Sequence, residues 1–133
     1  MPEEAFDLTT TFVHLGLGAR VIPLADFEWT TEYLERYEAE TAADGIEGRL
    51  VTISSSETNW PSWERHPSGD ELVVLLSGRL ALVQDLRGDH HRVHMEAGRA
   101  VINPKCVWHT ADVYEPSRVL FITPGRGTEH KPR

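Results

Sequence analysis

An all-β domain preceded by one helix is the fold class this sequence predicts, on three observations. From Gly48 onward apolar residues recur at every second position, the period of a half-buried strand. Turn-forming pairs interrupt that alternation at intervals of roughly eight to twelve residues, the spacing of an antiparallel sandwich or barrel. Ahead of Gly48, one stretch changes to a three-and-four repeat, which is the period of a helix.

The elements follow in order. Residues 1–47 read as an arm and a helix packed on a barrel, 48–124 as the barrel and 125–133 as a tail, one domain in all. Phe12 to Leu24 mixes apolar residues with two glycines and a proline and reads as one or two short strands or an extended arm. From Trp29 to Ala43, Trp29, Tyr33, Leu34 and Tyr37 recur at helical spacing, glutamates fill the other face, and Asp44-Gly45 supplies a stop. The spacing predicts a helix of about 14 residues. Its aromatic stripe reads as the face that docks on the core rather than as a pocket wall. Strands are predicted at Arg49 to Ser55, Trp63 to Pro67, Glu71 to Leu76, Arg79 to Asp85, His90 to Met95, Ala100 to Ile102, Trp108 to Tyr114 and Arg118 to Thr123. Ser77-Gly78, Gly88-Asp89, Ala97-Gly98, Asn103-Pro104 and Glu115-Pro116 separate them as chain reversals. Eight short strands suit a jelly-roll β-barrel. The tail has no apolar period and reads as free or draped over the barrel.

Composition narrows the function. At 133 residues with a formal charge of −8, the chain repels phosphate backbones and anionic membrane surfaces, and neither nucleic acid nor membrane is an expected partner. The acidic start has no basic and apolar leader pattern, so the expected location is cytoplasmic. With Cys106 as the one cysteine, an internal disulfide and a cysteine-rich zinc site are both excluded. Any metal site must use histidine and carboxylate.

Trp63 to Gly78 holds such residues. Glu64 and His66 lie two apart, which on a strand places them on one face. Glu71 opens the apolar run Leu72-Val73-Val74-Leu75-Leu76, where an inward carboxylate is costly unless something cationic meets it. His109 follows downstream. Two plainer readings stand beside ligation: Glu64 paired at the surface with Arg65 or Arg79, and both histidines hydrogen-bonded in the core. Asp70 has the opposite strand phase and faces out or caps the Pro67-Ser68-Gly69 turn. His90, His91 and His94 are assigned to solvent, because positions 90 and 94 of a strand lie about 13 Å apart. Cys106 reads as a buried filler of its turn. Trp60 shares the phase of Glu64 and His66 and is a candidate pocket wall; Trp63 and Trp108 fall on the other face, against the helix or a second copy of the chain.

These residues resemble the two motifs of the cupin superfamily. The first motif reads Gly, five residues, His-x-His, three or four residues, Glu, six residues, Gly. Here His66, Glu71 and Gly78 match, Glu64 stands at the first histidine and Thr58 at the first glycine. The second reads Gly, five residues, Pro-x-Gly, two residues, His, three residues, Asn. Gly98, Pro104 and His109 match, with Cys106 at the middle glycine and Val113 at the asparagine. The resemblance spans Thr58 to Val113. It implies a jelly-roll barrel with a divalent ion (Fe, Mn, Zn or Ni) held by His66, Glu71 and His109, with Glu64 as the altered fourth ligand. A His2Glu2 set is harder and more anionic than the family's usual His3Glu.

The implied function is a metal-dependent enzyme acting on a small organic molecule at the barrel mouth, of the dioxygenase, isomerase or lyase class, which the fold alone cannot choose among. The alternative is a non-catalytic small-ligand-binding or sensor barrel, and a third reading is a barrel without metal. The resemblance also implies a homodimer, with Phe12 to Leu24 as the arm that joins the copies.

Overall fold

The computed structural model describes residues 4–133. Nine strands form one curled antiparallel sheet. β1 (Phe12–Gly16) and β2 (Arg20–Leu24) make a hairpin, and β1 continues onto β3 (Arg49–Ser56). The arm is thus part of the sheet. The barrel proper is built around β5 (Glu71–Leu86) and β8 (His109–Thr123), which pair along most of their length. β6 (Asp89–Glu96) and β7 (Ala100–Asn103) flank β5; β3 and β4 (Ser62–Arg65) flank β8.

Two predicted reversals are bends instead. Ser77-Gly78 and Glu115-Pro116 lie inside β5 and β8, where the register slips between Leu75 and Leu80 and both strands turn the barrel corner together. Gly78 has φ +88° there, and a Cβ on it would meet the Pro116 carbonyl oxygen at 2.3 Å, so only glycine lets the two bends nest.

The helix is shorter than predicted. α1 spans Thr31–Glu40, capped by the Thr30 hydroxyl accepting from the Tyr33 N–H at 3.1 Å. It ends early because the chain tightens into 3-10 turns at Ala42–Glu47, which turn Asp44 inward onto His14. Of the two readings of the tail the draped one fits: Glu129–Pro132 forms β9, an edge strand on β4. No described helix is long and apolar enough to cross a membrane.

Strand alternation places the core. Val73 and Leu75 of β5, Leu80 and Leu82 beyond its bend, and Ala111 and Val119 of β8 close on Met95. Each fully buried aliphatic side chain contributes about 1.5–3 kcal/mol. The same rows run on, two residues at a time, into polar side chains: Glu71 before Val73, His109 before Ala111, Gln84 after Leu82. The apolar core therefore carries a buried polar layer at one end.

Candidate metal centre

That layer is assembled by register. Glu64 on β4 is the partner of His109 on β8 and, across the other edge, of His130 on β9. His66 lies just past the end of β4, and Glu71 begins β5. The four predicted side chains converge: Glu64, His66, Glu71 and His109 each offer one ligand atom, all within 4.8 Å of one another. His66 Nε2 is 3.1 Å from Glu71 Oε2, and His109 Nε2 is 3.2 Å from Glu71 Oε1. Glu64 Oε2 stands farther off, 3.7 Å from His66 Nε2 and 3.6 Å from His109 Nε2.

The outer nitrogens of both imidazoles are occupied. The Thr128 hydroxyl gives its proton to the Gly125 carbonyl at 2.8 Å and so accepts from His66 Nδ1 at 2.8 Å. His109 Nδ1 donates to the Val107 carbonyl at 3.3 Å. With the proton on Nδ1, each Nε2 turns a lone pair inward. Both Nε2 atoms are buried and lack a hydrogen-bond partner. A buried polar atom left unpaired costs about 1–3 kcal/mol, and two aimed at one point fit an ion between them.

Glu71 is held rigidly. Asn103 Nδ2 donates to its Oε1 at 3.0 Å, the Thr123 hydroxyl donates to its Oε2 at 2.7 Å, and Gln84 Nε2 fixes Asn103 through Oδ1 at 2.9 Å. Burial works against the Glu71 charge, but the His109 and His66 imidazoles outweigh it and hold the carboxyl far below its usual range. For His109, burial opposes protonation, yet Glu64 and Glu71 prevail and lift the imidazole to about 9. The site thus attracts positive charge, and a proton stands in for a cation when no ion is bound.

Sequence reasoning missed Asn103, Gln84, Thr123, Thr128 and His130. Three of these were visible as polar ends of apolar alternating rows. Thr128 and His130 lie in the tail, where no apolar pattern marks a strand. His130 Nε2 meets Glu64 Oε1 at 3.1 Å, and this contact rather than Arg65 or Arg79 is the pairing Glu64 makes. Arg65 instead binds Glu129, and Arg79 binds Glu115.

Other expectations separate cleanly. Trp60 does line the cavity, packing on Phe121 at 5.8 Å between centroids. Trp63 packs on His90, and Trp108 lies beneath Arg65 and Lys131, 4.6 and 4.4 Å from its ring. Asp70 accepts from the Lys105 N–H at 2.8 Å, tying the two motif loops together. His90, His91 and His94 are exposed, and no other group of three or more potential ligands close enough to share an ion occurs among the described residues. Cys106 is exposed rather than buried, because its turn adopts φ +65° and projects the thiol outward.

Glu64, His66 and Glu71 open onto a cavity of about 740 Å³. The same cavity is lined by Phe12, His14, Trp29, Leu34 and Tyr37. Of the aromatic stripe, Trp29, Leu34 and Tyr37 thus line the cavity, which its reading as a core-docking face did not foresee, while Tyr33 packs on Phe27 at 4.6 Å between centroids.

No protein-family model matches the sequence, and no curated protein matches it. Solved structures do. A conserved protein with a double-stranded β-helix domain from Klebsiella pneumoniae aligns over 64% of this chain and 76% of its own, at 21% identity and a TM-score of 0.53. A cupin-2 domain protein from Shewanella frigidimarina aligns over 64% and 71%, at 21% identity and a TM-score of 0.48. Hydroquinone 1,2-dioxygenase from Sphingomonas sp. TTNP3, solved with 4-hydroxybenzoate bound, aligns over 56% of this chain and 58% of its own, at 13% identity and 0.49. The fold is a double-stranded β-helix.

Proposed function

We propose that this chain, a cupin by fold, holds a divalent ion between His66, Glu71, His109 and Glu64 and acts on a small organic molecule in the adjoining cavity. The observation that carries the reading is the pair of buried, unpartnered Nε2 atoms aimed at Glu71, with each tautomer set by a bond to the outer nitrogen. Two carboxylates would neutralise a divalent ion in full, which favours iron, manganese, zinc or nickel over soft ions. Bound there, such an ion supplies Lewis acidity toward a ligand oxygen or, if it is iron, oxygen activation.

The chain's own residues supply the rest. Asn103 and Thr123 keep both Glu71 oxygens oriented, Thr128 and Val107 take the Nδ1 protons so that each Nε2 faces inward, and Trp60 with Phe121 forms an apolar wall beside the ligands. Glu64 is the most exposed of the four, its side chain 28% accessible. It is the ligand that can yield its place to an incoming molecule. A cytoplasmic location and pairing of two copies belong to the same reading, and sedimentation equilibrium tests the pairing.

Elemental analysis of protein purified without added metal is the test. One equivalent of ion in the parent chain and none in His66→Ala and His109→Ala supports the site; negligible ion in all three refutes it. Turnover against small acids, sugars and diols, with and without oxygen, divides enzyme from sensor.

A further inference from the structure

A second polar cluster faces the same cavity. His14 on β1 is 1% exposed, yet both its ring nitrogens are bonded: Nε2 to Asp44 Oδ2 at 2.7 Å and Nδ1 to the Tyr37 hydroxyl at 2.5 Å. Asp44 is saturated, accepting also from the Leu17 N–H at 3.0 Å and from Arg20 at 2.7 and 3.0 Å. The backbone leaves room for this cluster at two glycines. A Cβ on Gly48 would sit 2.9 Å from the His14 ring, and one on Gly16 would sit 2.7 Å from Asp44 Oδ2. Both His14 and Tyr37 line the cavity that Glu64, His66 and Glu71 also line.

We propose that Tyr37 is a proton-exchanging catalytic residue of this cavity, with His14 and Asp44 as the positioning residues that accept and hold its proton. The inference rests on the cavity being the ligand site and not on the ion. Asp44 accepts from His14 Nε2–H, so Nδ1 is the free acceptor and Tyr37 donates to it. A ligand proton then passes to the Tyr37 oxygen as the phenol's own proton passes to His14 Nδ1. The ligand becomes an anion and His14 an imidazolium facing the Asp44 carboxylate, with no electron gained or lost. The fitting ligand is a weak acid, a hydroxyl or a C–H next to a carbonyl. Burial pushes the Tyr37 phenol above its ordinary range, so it stays neutral unless its proton has somewhere to go. The Asp44 carboxyl is held down at about 2, chiefly by its bond from His14, and stays ionised.

Labelling with p-toluenesulfonyl fluoride tests this on the full chain without knowledge of the substrate. Attack by the phenol oxygen forms an O–S bond, fluoride leaves, and the proton goes to His14. Tyr33 and Tyr114 are internal references, since the chain has three tyrosines, and mass spectrometry counts the adduct on each. The expected result is Tyr37 labelling ~10-fold or more faster than either reference, lost in His14→Gln and reduced in Asp44→Asn. Labelling of Tyr37 no faster than the references, or an excess that survives His14→Gln, overturns the proposal. Should His14→Gln not fold, the pH profile of the parent chain decides. Tyr37 is faced by Asp44, Glu38, Tyr33 and Arg126. A rate already at its plateau below pH ~9 supports a histidine-backed phenol, and one still climbing past pH ~10 with the references overturns it. The excess must also persist after chelation. Loss of the ion site alone leaves this result standing, so the two readings fail separately.

Discussion

Two buried histidine clusters face one cavity, and they differ in what they leave undone. Around His14 every strong donor and acceptor is matched: both ring nitrogens, both Asp44 oxygens and the Tyr37 hydroxyl. Around His66 and His109 the outer nitrogens are matched and the inner ones are not. The difference is one of charge as well as of bonds. Asp44 has the Arg20 guanidinium to balance it, whereas Glu71 and Glu64 have no fixed cation and borrow one from the imidazoles. A closed cluster is suited to a proton, and an open one with surplus negative charge is suited to an ion.

The largest test of that contrast is its selectivity. His66→Ala and His109→Ala are expected to lose bound ion altogether, while His14→Gln keeps one equivalent, read by elemental analysis on the same preparations. Equal loss in all three breaks the comparison and would make the histidines a shared structural network. Next in size is Asn103→Ala, which frees Glu71 without removing a ligand and should weaken the ion's Kd ~10- to 100-fold by chelator competition. Glu64→Gln sharpens the point further. It should weaken the ion less than either histidine variant and more than His130→Ala, which removes only the bond that steadies Glu64. A Glu64→Gln protein with unchanged Kd would leave a three-ligand site.

The open cluster also predicts an unusual pH dependence for the ion-free chain. His109 is raised from its ordinary 6.5 to about 9, so its contribution is whole below 6.5 and fades as the pH climbs through 9. Glu71 is depressed below its ordinary 4.5, so its contribution is whole above 4.5 and fades in acid. Asp44 adds to the acid limb, losing its share as the pH falls below 3.8 toward about 2. Melting temperature with chelator present should therefore peak between 4.5 and 6.5 and decline above. With zinc added the alkaline limb should rise instead, because the ion needs neutral imidazoles. An ion-free melting temperature still increasing at pH 8 would contradict the charge account.

How far the sequence reaches into this site depends on pattern. Glu64 and His66 were legible because they share a strand phase, Glu71 because it opens an apolar run, and His109 only through its place in the second motif. Gln84, Asn103 and Thr123 end alternating apolar rows, but their meeting depends on which strands pair, and pairing is long-range. Thr128 and His130 were illegible for a different reason. β9 is exposed at all four positions and joins the sheet through backbone pairing and polar side chains, Glu129 on Arg65 and His130 on Glu64, which leaves no hydrophobic trace. At Gly78 the local signal was real and its meaning ambiguous, since a positive φ serves a bulge as well as a reversal.

The smallest predicted effect concerns Cys106, which stands where the second cupin motif has glycine. The turn still demands the glycine conformation: Cys106 is at φ +65°, and its N–H donates to the His66 carbonyl at 3.2 Å, so the strained residue braces a histidine of the open cluster. A left-handed non-glycine residue costs about 1–2 kcal/mol, and the looser unfolded chain of a glycine variant returns about 0.5–1 of that. Cys106→Gly should thus stabilise the protein by about 0.5–1 kcal/mol in urea unfolding, with the ion's Kd unchanged because the bond to His66 survives. Cys106→Ala is the control, since it removes the thiol and keeps the strain. A gain in alanine equal to that in glycine would assign the effect to the sulfur, and a gain in neither would mean that the turn relaxes at no cost to the ion site it supports.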